Sequence, residues 1–405
     1  MDIKELTVDP FGEDGILYYH EVTREQRDLD DSMECLSWNY YNESTYDLGE
    51  GSGGCPPLAF NTRIVSPDGL TCADTGEEQL SLPGSSSFRV WAEGPNFHID
   101  TEETQDDNKI GNQTRHILGH NGQAGGSTIL REPITLAIWR WAGHPASRTA
   151  FARTRSNVWD TEYGEGTWMA HDVLMPYKTQ FQKEELPEMT EVREGYGDPF
   201  GGWWEAQCEW SDGDNCDDTS FNEDIDIVAN TPWEDGFADD IADVVDIQSH
   251  NLYMCLSALT GTCDDALHAY NNVVWALVDG IWTLLPWSTD ISLDHPWCPQ
   301  GVEYGGWDTI SQGCFSDEDC WRPSIENCRS LVNQFEDEGV AERIVTEVCT
   351  DLTAADLERD PDSETCAVAL DSLLARPDTL REELDNMESF LENGGFSDTG
   401  WDTGL

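Results

Sequence analysis

Hydrophobic and polar positions follow two different rhythms along the chain. Through the first 200 residues, short β-prone runs (Gly15 to His20, Ser87 to Trp91, Thr135 to Trp141, Thr167 to Leu174) alternate with clusters of Gly, Pro, Asn and Asp. That spacing predicts strands joined by long loops, as in a sandwich or barrel-like domain. From about residue 235 the period lengthens. Phe237, Ile241, Val244 and Val245 mark one helical face, with Asp239, Asp240, Asp243 and Asp246 opposite. Leu267, Tyr270, Val274, Leu277, Val278, Ile281 and Leu285 continue at helical spacing with few polar interruptions, which predicts a helix buried on most sides and ended by Pro286. Shorter helices are expected between Ile325 and Leu391, two of them opened by capping boxes at Thr353/Asp356 and Thr379/Glu382, with Gly394 and Gly395 as the final stop.

These patterns define an α+β chain in which a β-rich region (1–200) is followed by an acidic loop or linker (201–234), a helical, Cys-rich region (235–395) and a short tail (396–405). Val273 to Leu285, the longest apolar stretch, is too short to span a bilayer. Met1 to Phe11 contains Asp2, Glu5 and Asp9 and no apolar run, so no export signal is expected there.

Charge changes this picture most. The 405 residues hold 81 Asp and Glu against 21 Lys and Arg, a net charge of −60. Such a surface repels itself in dilute buffer. At about 1 M salt the Debye length falls to roughly 3 Å and the repulsion is screened. The 17 Trp residues and an aromatic content of 10% supply far more core material than a disordered acidic chain carries. Habitat in molar salt follows as an expectation, and nucleic acid is excluded as a partner because phosphate binding needs clustered cations.

Thirteen cysteines, ten of them from Cys208 onward, form no Cys-x-x-Cys pair and no zinc-finger spacing. They are either buried thiols or disulfides formed once the protein leaves a reducing cell.

Four sets of residues carry potential chemistry. From Glu194 to Trp321 there is no Lys or Arg against 27 carboxylates. Within that stretch Asp212, Asp214, Asp218 and Glu223 approximate the spacing of a calcium loop, although Cys216 and Asp217 occupy positions where the loop wants an oxygen ligand and a Gly. The alternatives are a Ca2+ or Mg2+ site and a solvated acidic loop bathed in monovalent cations. Arg131, Arg140, Arg148, Arg153 and Arg155, with His144, gather bases in an otherwise acidic chain and suit carboxylates of another subunit, of an acidic sugar or of the chain itself. Trp203, Trp204 and Trp210 lie in polar surroundings and suit stacking on sugar rings. His116 and His120 have a zinc-helix spacing but glycine-rich neighbours, which favour a loop.

No catalytic signature stands out. By elimination the expected role is a structural component of a haloarchaeal virus particle, a tail, baseplate or host-contact protein. Its partners would be other virion subunits, in a homo-oligomeric assembly, and a host surface glycan. It would be assembled in the cytoplasm and exposed outside. The rival is a secreted halophilic hydrolase or carbohydrate-binding protein.

Overall fold

A computed structural model describes residues 17–23, 58–65, 72–81, 97–100, 115–119, 129–156, 169–212, 216–293, 302–354 and 363–394. The chain mixes helices with antiparallel sheets and divides into two compact units. Unit 1 takes residues 1–133, 147–176 and 346–366, and unit 2 takes 134–146, 177–345 and 367–405. Among the described residues no helix is long and apolar enough to cross a membrane.

In unit 1, strands β1 (Leu17–Thr23), β2 (Leu58–Val65), β3 (Cys72–Ser81), β4 (Phe97–Asp100), β5 (Arg115–Gly119), β6 (Thr149–Ser156) and β7 (Met169–Leu174) close a barrel in the order β1-β2-β3-β4-β5-β7-β6. β1 closes it by running parallel to β6, with Leu17 opposite Phe151. Closure leaves no free sheet edge. Ser87 to Trp91 lies outside the described residues.

The run Thr135 to Trp141, expected as a strand, belongs instead to helix α1 (Arg131–Trp141). Ile134, Leu136, Ile138 and Trp139 are all buried, so tertiary packing overrides the β preference of Thr, Ile and Trp.

Unit 2 is built on a four-stranded sheet in the order β11-β10-β8-β9, from β8 (Met189–Asp198), β9 (Trp203–Ser211), β10 (Val273–Val278) and β11 (Ile281–Leu285). The buried helix expected over Leu267 to Leu285 is therefore a hairpin. Val278 faces Ile281 across a two-residue turn, and Asp279 and Gly280 both have positive φ, 51° and 81°. Asp-Gly is the preferred pair for such a turn. The hairpin is apolar on both faces because both are covered, and continuous burial erases the alternation that identifies a strand.

The other elements are helices: α2 (Thr179–Glu184), α3 (Asp218–Asn230), α4 (Phe237–Ile241), α5 (Ile247–Thr260), α6 (Thr309–Phe315), α7 (Glu318–Asp337), α8 (Val340–Ala354) and α9 (Ser363–Glu392). The acidic segment 201–234 is thus occupied by β9 and α3. Phe221 of α3 packs edge-on against Trp282 at 4.9 Å, and the Trp282 indole donates to Asp224 Oδ2 at 2.8 Å. The expected helical face of Phe237, Ile241, Val244 and Val245 is split, because α4 ends at Ile241 and Val245 bridges to Trp282.

The core helix α5 starts at Asp246, whose carboxylate caps Ser249 N, and ends at Gly261 in the left-handed region. Cys255 on α5 bonds Cys328 on α7, and Cys314–Cys320 joins α6 to α7. Cys208–Cys216 and Cys349–Cys366 make four disulfides with both cysteines among the described residues, and Cys263 is disulfide-bonded as well. Thr353 lies near the end of α8 and Thr379 inside α9, so neither opens a helix; Asp356 is outside the described residues. α9 instead runs through Pro377 and stops at Gly394, where φ is 72°.

Candidate functional site at one end of the sheet

The register of the sheet gathers several loops at one end. Val273, the first residue of β10, faces Gly195 on β8, and Leu285, the last of β11, faces Val274. Trp203 and Trp204 open β9 opposite Asp198 and Gly197. The loop entering β10 (264–272) and the segment leaving β11 (286–293) therefore emerge together.

Two backbone hydrogen bonds tie the residues just before the first segment to the second: Cys263 N donates to Ile291 O at 3.2 Å, and Leu293 N to Thr260 O at 3.0 Å. The bonded residues Cys263 and Ile291 are the ones directly before Asp264 and directly after Asp290. Asn271 Nδ2 donates to Asp264 Oδ1 at 3.0 Å, and Asn272 Nδ2 to the Asp264 carbonyl at 2.6 Å. With their amide nitrogens turned to Asp264, both carboxamides keep Oδ1 as an acceptor. Ser288 Oγ donates to Asp290 Oδ1 at 3.1 Å. Among the described residues, the non-glycine positions with positive φ are Tyr270, Asn272, Asp279, Ser288 and Leu293, at 51–53°. Four of these five belong to the two site segments. Backbone strain of this kind costs on the order of 1–3 kcal/mol per residue and concentrates at functional sites.

A buried layer holds the loop from below. Asp265 accepts from Ser257 Oγ at 2.6 Å, from Leu267 N at 3.1 Å and from His268 N at 2.9 Å. His268 bridges Asp265 Oδ1 at 3.0 Å and the Glu303 carbonyl at 3.3 Å. Both partners are acceptors, so the imidazole must carry two protons to satisfy them. Burial opposes that charge, but the Asp265 carboxylate and the two hydrogen bonds prevail and hold His268 above its ordinary value. A raised folded pKa means that the stabilisation is complete below about pH 6.5 and is lost as pH rises through the folded value. Wild type is accordingly expected to lose more thermal stability than His268→Gln between pH 6 and pH 9. Parallel melting curves for the two proteins would disprove the bridge.

Asp308 caps α6, accepting from Ile310 N and Ser311 N, and pairs with His250 Nε2 at 3.1 Å. Asp198 accepts from Thr309 N and Oγ1, both at 2.8 Å. Burial and the neighbouring Asp308 charge hold Asp198 above the usual carboxylate range. Burial acts on Asp308 as well, but His250 and Ser311 bring it below that range. Burial, with Asp198 and Asp308 nearby, pushes Tyr270 up to about 12, so its hydroxyl stays protonated and donates to the Trp307 carbonyl at 2.7 Å. Trp307 N donates to Leu267 O at 3.0 Å, and Gly197 N to Tyr270 O at 2.8 Å. These bonds fix the backbone of Trp307 and Tyr270 while the Trp307 ring is 56% exposed and Tyr196 beside them 48%.

The expected ligand residues fall elsewhere. Asp212 is exposed beyond the end of β9, Asp218 opens α3 and meets Arg193 Nη1 at 2.8 Å, Glu223 is exposed on α3, and Asp214 lies outside the described residues. Asp217, the residue that breaks the calcium-loop pattern, caps α3 by accepting from Thr219 N and Ser220 N. Among the described residues no three His, Cys, Asp or Glu side chains converge on a metal position. Arg131, Arg148, Arg153 and Arg155 belong to unit 1, Arg131 buried at the start of α1 and the last two on β6; Arg140 belongs to unit 2. His144 is buried edge-on against Trp139, and burial drives it down to about 4, so it is a neutral core residue. Trp210 is half-buried and donates to Thr179 Oγ1 at 3.2 Å. Trp203 and Trp204 sit at the site's end of the sheet by register. His116 lies on β5, while His120 is outside the described residues.

Asp264 and Asp290 escaped sequence reasoning because 81 acids offer every spacing. The signal was in their neighbours: Asn271-Asn272 directly before an apolar run, an Asp-Gly turn inside it, and Ser288-Thr289-Asp290 directly after.

No known family and no curated protein matches the chain. Among solved structures, the toxin–antitoxin complex of HipA and HipB with operator DNA from Shewanella oneidensis is similar at 13% identity and a TM-score of 0.34, covering 89% of this chain and 88% of that one. A likeness of that size carries no argument about fold or activity.

Proposed function

We propose that unit 2 catalyses a divalent-cation-dependent phosphoryl transfer at the end of the sheet that holds Asp264, Asn271, Asn272 and Asp290. The observation that carries it is the pair of backbone bonds, Cys263 to Ile291 and Leu293 to Thr260, that joins the segment running into Asp264 to the segment running out of Asp290. The surrounding side-chain donors are oxygens of carboxylates and carboxamides, the set preferred by a hard ion such as Mg2+. The chain order supports the same reading. Protein kinases place a proton-accepting Asp first, a Mg2+-binding Asn after it, and a second Mg2+-binding Asp further on. Here Asp264, Asn271 or Asn272, and Asp290 follow in that order, with a longer interval between the first Asp and the Asn.

In this scheme Asp290 and a carboxamide Oδ1 would hold the cation, whose charge would offset that of the phosphates of a nucleoside triphosphate. Asp264 takes the proton of an acceptor hydroxyl as its oxygen bonds the γ-phosphorus and the bond to the nucleoside diphosphate breaks. The test is release or transfer of labelled γ-phosphate by the oxidised, full-length chain in molar KCl with Mg2+ or Mn2+. Asp290→Asn is expected to lower the rate by about 10²–10³ with the melting temperature unchanged. Turnover equal to wild type would sink the proposal.

A second reading is favoured by the disulfides, which form in oxidising spaces. They suit a protein matured outside the reducing cell, and we propose the surface of a haloarchaeal virus particle, or secretion, as that setting. We also propose the organisation of a β-rich first half followed by a helical, Cys-rich region. Absence of the chain from purified particles would remove the virion setting.

A further inference from the structure

We infer that this end of the sheet also binds an uncharged glycan on an aromatic shelf formed by Trp307, Tyr270 and Tyr196. The shelf is built, not incidental. Trp307 is anchored through its backbone, N to Leu267 O and O from Tyr270 Oη, while its ring stays 56% exposed. Tyr270 is held at φ 52° between that bond and the one from Gly197 N, which ties it to β8 beside the 48% exposed Tyr196. A bulky residue kept in the left-handed region is costly, and here it sets the position of the loop that carries Asn271 and Asn272.

Charge selects the ligand class. The stretch from Glu194 to Trp321, which supplies the whole shelf, has no Lys or Arg and 27 carboxylates, so an acidic sugar, which brings no divalent cation with it as a nucleotide does, finds no counter-charge in this stretch. A cationic peptide would depend on ion pairing, which is largely lost at about 1 M salt, where the screening length is roughly 3 Å. Stacking of a flat ring on the apolar face of a sugar does not depend on ionic strength in that way, and salting-out strengthens it. Around the rings, Asp264 and the carboxamides of Asn271 and Asn272 supply the acceptors and donors that sugar hydroxyls need.

That the glycan is the hydroxyl acceptor of the neighbouring Asp264–Asp290 site rests on the phosphoryl-transfer reading; that it binds does not. The experiment uses the full-length, oxidised chain in molar KCl. Affinity electrophoresis and tryptophan fluorescence would be read against dextran, mannan and laminarin, with a lysine-rich peptide alongside. At least one polysaccharide should bind, and Trp307→Ala should weaken that binding by on the order of tenfold. Because Trp307 is tied in through its backbone, its variant is expected to melt with wild type. Failure of all three polysaccharides to bind overturns the inference, as does equal binding by Trp307→Ala, or Trp307-dependent binding of the peptide in their place. Saccharide binding without phosphoryl transfer would leave the shelf standing and remove the catalytic reading; transfer without saccharide binding would do the reverse.

Discussion

Arg376→Ala is expected to destabilise unit 2 by about 3–5 kcal/mol, the cost of stripping one partner from a buried ion pair. The guanidinium is 8% exposed on α9 and uses all its edges. Nε donates to Ala258 O at 2.6 Å, near the end of α5. Nη1 and Nη2 each donate to Glu383 at 2.9 Å, and Nη2 reaches the Val302 carbonyl as well. Glu383 Oε2 also accepts from Tyr304 N at 3.2 Å. One side chain therefore satisfies two main-chain carbonyls and holds α9 to the core helix and to the segment before Trp307. Removing it takes a donor from each of those carbonyls, the Ala258 carbonyl keeping Gly261 N at 3.3 Å, and leaves a carboxyl that burial already holds above its ordinary value, despite the Arg376 charge. Arg376→Lys should recover little, since an ammonium cannot reproduce the planar fork. Arg376→Ala combined with Glu383→Leu should recover part of the loss, and urea unfolding of wild type, Arg376→Ala, Glu383→Leu and the double variant gives the coupling directly. A single-variant loss under about 1 kcal/mol would show that the pair is solvated.

Arg376 also illustrates what the sequence conceals. It precedes Pro377, and the Thr379/Glu382 pair beyond it has the form of a helix start, so the residues suggest a break. In the structure α9 continues through that point because Leu373, Leu380 and Leu384 bury one face on both sides of the proline. Packing outweighs the missing N–H. The hairpin of β10 and β11 fails for the opposite reason. Its residues are apolar without alternation, so a 3.6 period can be drawn through them by selection, and only the Asp279-Gly280 pair marks the turn. Thr167 to Leu174, where residues are less uniformly apolar, overlaps β7 as expected. Local chemistry was legible wherever a single residue type had few competitors. Carboxylate geometry was not, because a chain with this many acids hides functional ones among solvated ones. The site becomes visible only once two distant segments, 260–263 and 291–293, are seen hydrogen-bonded to each other.

Dialysis of the purified chain from molar KCl into dilute, metal-free buffer is expected to abolish its cooperative fold, the largest effect predicted for this protein. The net charge of −60 sets the scale of the repulsion, and the distribution of bases makes it worse. On α7 and α9 the arginines already have partners: Arg322 with Glu318 and Glu392, Arg329 with Asp385 and Glu388, and Arg381 with Glu336 and Asp378. Such exposed pairs contribute about 0–1 kcal/mol each. The stretch from Glu194 to Trp321 has no Lys or Arg of its own. There Asp218 borrows Arg193 from the preceding strand, while Glu223, Asp226, Asp239 and Asp240 stay exposed. Counter-ions must supply the rest. Circular dichroism and urea midpoints across a KCl series should show stability rising steeply up to about 1 M, where screening is nearly complete. Choline chloride separates the two ways in which salt can act. Equal recovery in choline and potassium would mean that screening alone suffices, whereas recovery only with potassium or magnesium would mean that carboxylates bind small cations directly. A fold that persists unchanged in dilute buffer would contradict both, and with them the inference that this surface is adapted to salt.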